Sequence, residues 1–185
     1  AVSLNAYILL PLLFGLAAVA RPLVILLLTE KWLSCVPFLQ LSCLYFAFYY
    51  INETNIIAIN SIGRSDIFLK YEIIKKAIIV VSLIITVPYG IYCMTVGQII
   101  VTAFASLLNF LPSKKLLHYN YCEQLQDLYP SFLLSLFMGT AVYFLSYLPL
   151  NELSLLILQI LCGIIVYTAL SVLFKIKSFR FLLDL

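Results

Sequence analysis

The chain is short of charge. Asp, Glu, Lys and Arg supply 10% of its 185 residues, whereas a soluble domain carries about 25%. Apolar residues take their place at 64%, well above the usual level of about 45–50%. A soluble fold of this size has too much surface to hide so many apolar side chains. Lipid must cover the rest, which excludes an ordinary soluble domain.

Other scarcities exclude other functions. The basic residues give a formal charge of only +3 and are scattered between apolar runs, so no nucleic-acid partner is expected. Cys35, Cys43, Cys93, Cys122 and Cys162 are odd in number and form no CxxC pair, so they read as small buried hydrophobes. His118 stands alone in a polar loop with Tyr119, Tyr121, Glu123 and Asp127, as a solvated residue rather than a ligand. No Walker A loop, GxSxG, HExxH or kinase motif is present. The expectation is a chain without catalysis, cofactor or metal. Met94 and Met138 are the only methionines and the first residues are already apolar, so the chain is expected to be the C-terminal part of a longer protein.

What is present is length of apolar run. A helix needs roughly 20 apolar residues to cross the hydrocarbon core, and five charge-free runs of that kind occur: Ala1–Ala20, Trp32–Asn52, Ala77–Ser113, Leu128–Asn151 and Leu153–Phe174. The third is too long for one crossing, and Pro88, Tyr89 and Gly90 supply turn chemistry near its middle. The expected fold is therefore all-α integral membrane, a single transmembrane domain over 1–185. Its six spans are Asn5–Leu28, Phe38–Ser61, Ile73–Pro88, Met94–Leu111, Tyr129–Leu148 and Leu153–Phe174. Strands of a closed barrel would be alternating segments of about 10 residues, and these runs are continuous.

The connections alternate in charge. Arg64, Lys70, Lys75 and Lys76 fall in one, Lys114 and Lys115 in another, and Lys175, Lys177 and Arg180 in the tail, nine of the eleven basic residues. By the positive-inside rule this side faces the cytoplasm, and so does the C-terminus. The first six of these residues are read as topology and lipid-headgroup anchors. Asp66 with Lys70, and Glu72 with Lys76, have the i,i+4 spacing of helical ion pairs. Trp32, Tyr89, Tyr92 and Tyr147 sit near the opposite ends of the spans, as interfacial rings should.

The second span is the most polar. Tyr45, Tyr49, Asn52, Glu53 and Asn60 share one broad helical face. A charge such as Glu53 within a span faces protein or water. The face reads either as the wall of a hydrated cavity for a polar substrate, with Glu53 as the candidate coupling-ion site, or as interhelical hydrogen bonding. Arg21 precedes Pro22, which breaks or kinks the first helix there. Its guanidinium could attract an anionic group such as a pyrophosphate, or it could snorkel to the outer interface.

The stretches LPLLFGLAAVARPLVILLLTEKW, VPFLQLSCLYFAFYYINETN, GRSDIFLKYEIIKK, GIYCMTVGQIIVTAFASLLNFLPSKKLL and LYPSFLLSLFMGTAVYFL, in this order, resemble the polysaccharide and lipopolysaccharide-precursor flippases (Wzx-type). These belong to the multidrug, oligosaccharidyl-lipid and polysaccharide exporter superfamily. The resemblance covers nearly the whole chain and implies the last six helices of a two-lobed protein, the N-terminal lobe lying outside this chain. It implies flipping of undecaprenyl-pyrophosphate-linked oligosaccharide across the bacterial inner membrane for surface polysaccharide synthesis. The partners it implies are the lipid bilayer, the lipid-linked oligosaccharide, and polymerase and glycosyltransferase enzymes. The sequence departs from the family at Arg21, where an acidic residue is frequent, and at Thr29, where glycine is common, so no substrate contact is carried over there. A proton- or sodium-coupled multidrug exporter and a non-transporting membrane scaffold are the competing readings.

Overall fold

The computed structural model describes the backbone of residues 2–61, 65–117 and 121–174, and the side chains of residues 3–50, 69, 72–106, 126 and 128–174. These residues are helical, with no strand among them. The helices are α1 (Val2–Ala18), α2 (Ala20–Leu28), α3 (Val36–Ser61), α4 (Ser65–Thr86), α5 (Ile91–Leu117), α6 (Tyr121–Phe144) and α7 (Glu152–Leu173). Short 3₁₀ turns occupy Glu30–Cys35, Val87–Tyr89 and Leu145–Tyr147. In lipid, a helix satisfies its own backbone polar groups, which is why so apolar a sequence adopts this form throughout.

Prolines and left-handed residues mark where helices end. Pro22 has no N–H to give the Ala18 carbonyl, and its ring collides with that carbonyl. The helix accordingly stops at Ala18, and α2 leaves at 67° to α1. The sequence pattern places this break at Arg21–Pro22. It falls three residues earlier, at Val19, because a proline disturbs the turn before it. Pro22 then occupies the first turn of α2, where a missing N–H costs nothing. Thr29 closes α2 with φ 78° and ψ 167°, a region otherwise given to glycine. Gly90 takes the same conformation after the Val87–Tyr89 turn, with φ 91° and ψ 174°, and separates α4 from α5 where Pro88, Tyr89 and Gly90 predict a turn. Trp32, Tyr89 and Tyr147 all lie exposed in the 3₁₀ turns.

Among the described residues, three segments are long and apolar enough to cross a membrane: Glu30–Tyr50, Leu128–Tyr147 and Glu152–Leu173. The bent pair of Ser3–Ala18 with Ala20–Leu28 makes a fourth if counted as one span. The expectation of six is corrected to three or four. Lys70, Glu72, Lys75 and Lys76 occupy the first half of α4, leaving Ala77–Thr86, about 15 Å of helix, free of charge. In α5 the apolar stretch is Ile91–Ser106, roughly 24 Å against about 30 Å of hydrocarbon.

The chain divides into two compact units, Ala1–Cys43 with Gln126–Leu185, and Leu44–Leu125. The first has a core of Tyr7, Ala18, Val19, Leu134, Met138, Val142 and Tyr167. Small residues let its helices meet: a Cβ on Gly139 would lie 3.4 Å from Phe14 Cβ, and one on Gly163 would lie 3.4 Å from Val142 Cγ2. Lipid tails are as apolar as leucine, so such close packing, with interhelical hydrogen bonds, holds the helices together. The second unit contains the α4–α5 hairpin. Here a Cβ on Gly97 would come within 2.9 Å of Thr86 Cγ2 and 3.3 Å of Ser82 Oγ, so only glycine permits the approach. Ion pairing at the start of this hairpin joins Glu72 to Lys75, one residue earlier than the i,i+4 pattern suggests, while Lys76 is exposed. Of the cysteines, Cys43 is buried, Cys35 and Cys162 are half-buried, and Cys93 is exposed. That corrects the expectation of burial for Cys93: an apolar thiol is as compatible with a lipid-facing surface as with a core.

Candidate functional site

The first unit contains an apolar slot of about 650 Å³. One wall is α1, through Tyr7, Ile8, Pro11, Leu12 and Gly15, continued by Val19 at the break and Leu23 of α2. The opposite wall is α7, from Leu156 to Thr168, and the floor is α6 at Met138 and Val142. Twelve residue steps separate Tyr7 from Val19 and also Leu156 from Thr168, so the slot is roughly 18 Å long. That exceeds one leaflet of hydrocarbon, roughly half of about 30 Å.

The slot is apolar along its length and hydrogen-bonded near each end. At one end the Tyr7 hydroxyl donates to Ser171 Oγ at 2.7 Å, and the Ser171 hydroxyl donates to the Tyr167 carbonyl at 2.7 Å. The Tyr167 hydroxyl donates to the Tyr7 carbonyl at 2.6 Å, with the two rings 5.0 Å apart. Pro11 explains the last bond. Four residues after Tyr7, it has no N–H for the Tyr7 carbonyl, and a side chain from another helix takes the place of the missing donor. At the other end Gln159, 0% exposed, donates from Nε2 to the Val142 carbonyl at 3.2 Å and to Ser146 Oγ at 2.9 Å. Its Oε1 is buried without a partner.

The residues singled out from the sequence are distributed over both units. Arg21 is exposed in the first turn of α2, in the first unit. Tyr45 and Tyr49 lie in the second unit and stack with ring centroids 6.0 Å apart, and Phe46 sits edge-on to Tyr45 at 5.3 Å. This is the i,i+4 contact a continuous α3 provides. Asn52, Glu53 and Asn60 belong to α3, with side chains outside the described residues; so are the side chains of Lys70, Lys114 and Lys115. Arg64 and His118 fall outside the described residues altogether. Lys75 pairs with Glu72. Sequence reasoning missed the slot and Gln159. The amide was a usable signal, because it is the only Gln or Asn in the otherwise apolar run Leu153–Phe174.

Among the described residues no three His, Cys, Asp or Glu side chains come together as metal ligands. No family model matches the chain, and no curated protein and no solved structure matches it.

Proposed function

We propose that this chain is part of a membrane transporter that flips undecaprenyl-pyrophosphate-linked oligosaccharide to the outer leaflet, with its basic connections and C-terminus in the cytoplasm. The observation that carries the reading is the slot between α1 and α7. A slot of this length and lining, on helices apolar enough to cross a membrane, suits one extended hydrocarbon chain, and each methylene taken in contributes dispersion contacts along its walls. The resemblance to polysaccharide flippases supplies the polyprenyl identity of that chain. The stacked Tyr45 and Tyr49 offer ring faces of the kind sugars pack against, and Glu53 remains the proposed coupling-ion site. The exposed Arg21 guanidinium suits the pyrophosphate.

The volume also lies within the range of about 300–1,000 Å³ used by drug-sized ligands, which favours export of apolar drugs as the second reading. The test is the full-length protein in vesicles loaded with undecaprenyl-pyrophosphate-linked oligosaccharide, read by an impermeant sugar-modifying enzyme. Flipping is expected, with at least a tenfold loss when Leu12→Trp and Ile164→Trp narrow the slot from its exposed edges. Absence of flipping by the folded protein, or an undiminished rate in the double variant, defeats the reading. Drug efflux without flipping selects the second.

A further inference from the structure

The two long walls of the slot are held in different ways. α7 is joined to α6 by the Gln159 bond to the Val142 carbonyl, to the turn after α6 by the Gln159 bond to Ser146, and to α6 again by the close approach at Gly163 to Val142 and Met138. α1 is buried along one face at Ala6, Tyr7, Leu10 and Ala18 and hydrogen-bonded to other helices near its two ends. Near its start the Tyr7 carbonyl and hydroxyl are held by Tyr167 and Ser171. At its middle Phe14 rests on Gly139, its Cβ 3.4 Å from where a side chain on that glycine would begin. At its end Gln40 Nε2 donates to the Ala17 carbonyl at 3.1 Å, beside the 67° break that separates it from α2. Beyond the break, α2 is anchored by buried Ala20, Pro22 and Val24. A helix followed by a break can turn as a rigid rod while its continuation stays in place.

We propose that α1 is the hinged wall of the slot, pivoting at Val19 and over Gly139, and that the Tyr7–Tyr167–Ser171 cluster is the latch that keeps it against α7. The proposal concerns access to the slot and rests on the reading of the slot as a lipid-chain site for what enters. The latch depends on Pro11. An N–H at position 11 would give the Tyr7 carbonyl a donor within α1, so the bond from Tyr167 would no longer be needed to satisfy it and would hold the latch less firmly. Without that N–H, the carbonyl binds across the slot. In hydrocarbon no water replaces the cross-slot bonds, so the latched form dominates and the open form is a minor population, on the order of a few per cent or less.

The experiment measures the slot directly. Spin labels at Leu12 and Ile164, 66% and 58% exposed on facing walls, are placed in the full-length protein with its native cysteines replaced by alanine. Distances are read in nanodiscs of phosphatidylethanolamine and phosphatidylglycerol. The unsubstituted protein should give one dominant short distance. Tyr167→Phe should raise the longer component about tenfold. Pro11→Ala should raise it in the same direction although every latch side chain is still present, an effect a general loss of packing does not produce. Gly139→Ala, whose methyl would make ordinary van der Waals contact with Phe14 in the latched form, should reduce it. If Tyr167→Phe loses helix by circular dichroism, Pro11→Ala decides. Unchanged distances in Pro11→Ala, in a folded protein, overturn the latch. Undecaprenyl phosphate added to the nanodiscs should populate the longer distance. No response to it, with Pro11→Ala still widening the slot, removes the lipid occupant and leaves the hinge standing.

Discussion

The first unit of this chain bonds its polar side chains between helices as well as within them, as Tyr7 and Thr168 show. In the first, Tyr7, Tyr167, Gln40 and Gln159 each donate to a group on another helix. In the second, Thr86 turns back to the Ser82 carbonyl at 2.7 Å, Thr95 to that of Ile91 at 2.9 Å and Ser106 to that of Ala103 at 2.6 Å, each within its own helix. The first unit therefore has directional bonds that define how its helices meet. The α4–α5 hairpin meets through shape at Gly97 and turns Val80, Val81, Ile84, Ile85 and Ile100 outward. In lipid, outward apolar side chains cost nothing, so a helix pair needs few contacts to persist.

The contrast can be broken at its strongest point first. Gln159→Glu replaces a donor amide with a carboxylate facing the Val142 carbonyl in a fully buried site, and should cost about 3 kcal/mol, read as loss of the folded fraction in detergent titrations. Gly97→Leu attacks the hairpin instead. Its side chain meets Thr86 and Ser82, and the expected loss is about 1–3 kcal/mol, with faster amide exchange in α4 and α5 while α6 and α7 keep their protection. Tyr167→Phe removes one bond across the first unit and should cost about 0.6–2 kcal/mol in the same titration. Thr86→Val removes only a bond within its own helix, and its thermal midpoint should match that of the parent, since such back-bonding does not stabilise a helix. If Thr86→Val proved as damaging as Tyr167→Phe, the distinction between the units would fail.

The backbone of this fold was far more legible in the sequence than the site. Pro88, Tyr89 and Gly90 announce the α4–α5 turn because proline and glycine act locally, through a missing donor and a missing Cβ. Pro22 announces the first break with an offset of three residues, since its effect falls on the preceding turn. The slot left no such trace. Its lining residues Ile8, Leu12 and Leu16 are of the same kind as those that face lipid, because both surroundings are apolar and the helix loses the one-sided pattern that reveals a core in water. The span count failed for a related reason: a charge-free run measures apolarity but not where the helix axis lies, and the charged residues of α4 all fall between Asp66 and Lys76, leaving too short an apolar remainder. The tyrosine pair at 45 and 49 was readable from helical spacing alone. Gln159 could have been found by asking which polar residue an apolar run retains.

Thr29 marks a helix end held at a backbone cost. Its backbone occupies a conformation that glycine adopts freely and a β-branched residue resists, and Gly90 shows the chain using glycine for the same task at its other helix end. A threonine kept at such a position is tolerated by its surroundings rather than suited to them. Replacing Thr29 with glycine removes that strain, so this is a position where the protein is expected to gain stability by losing a side chain.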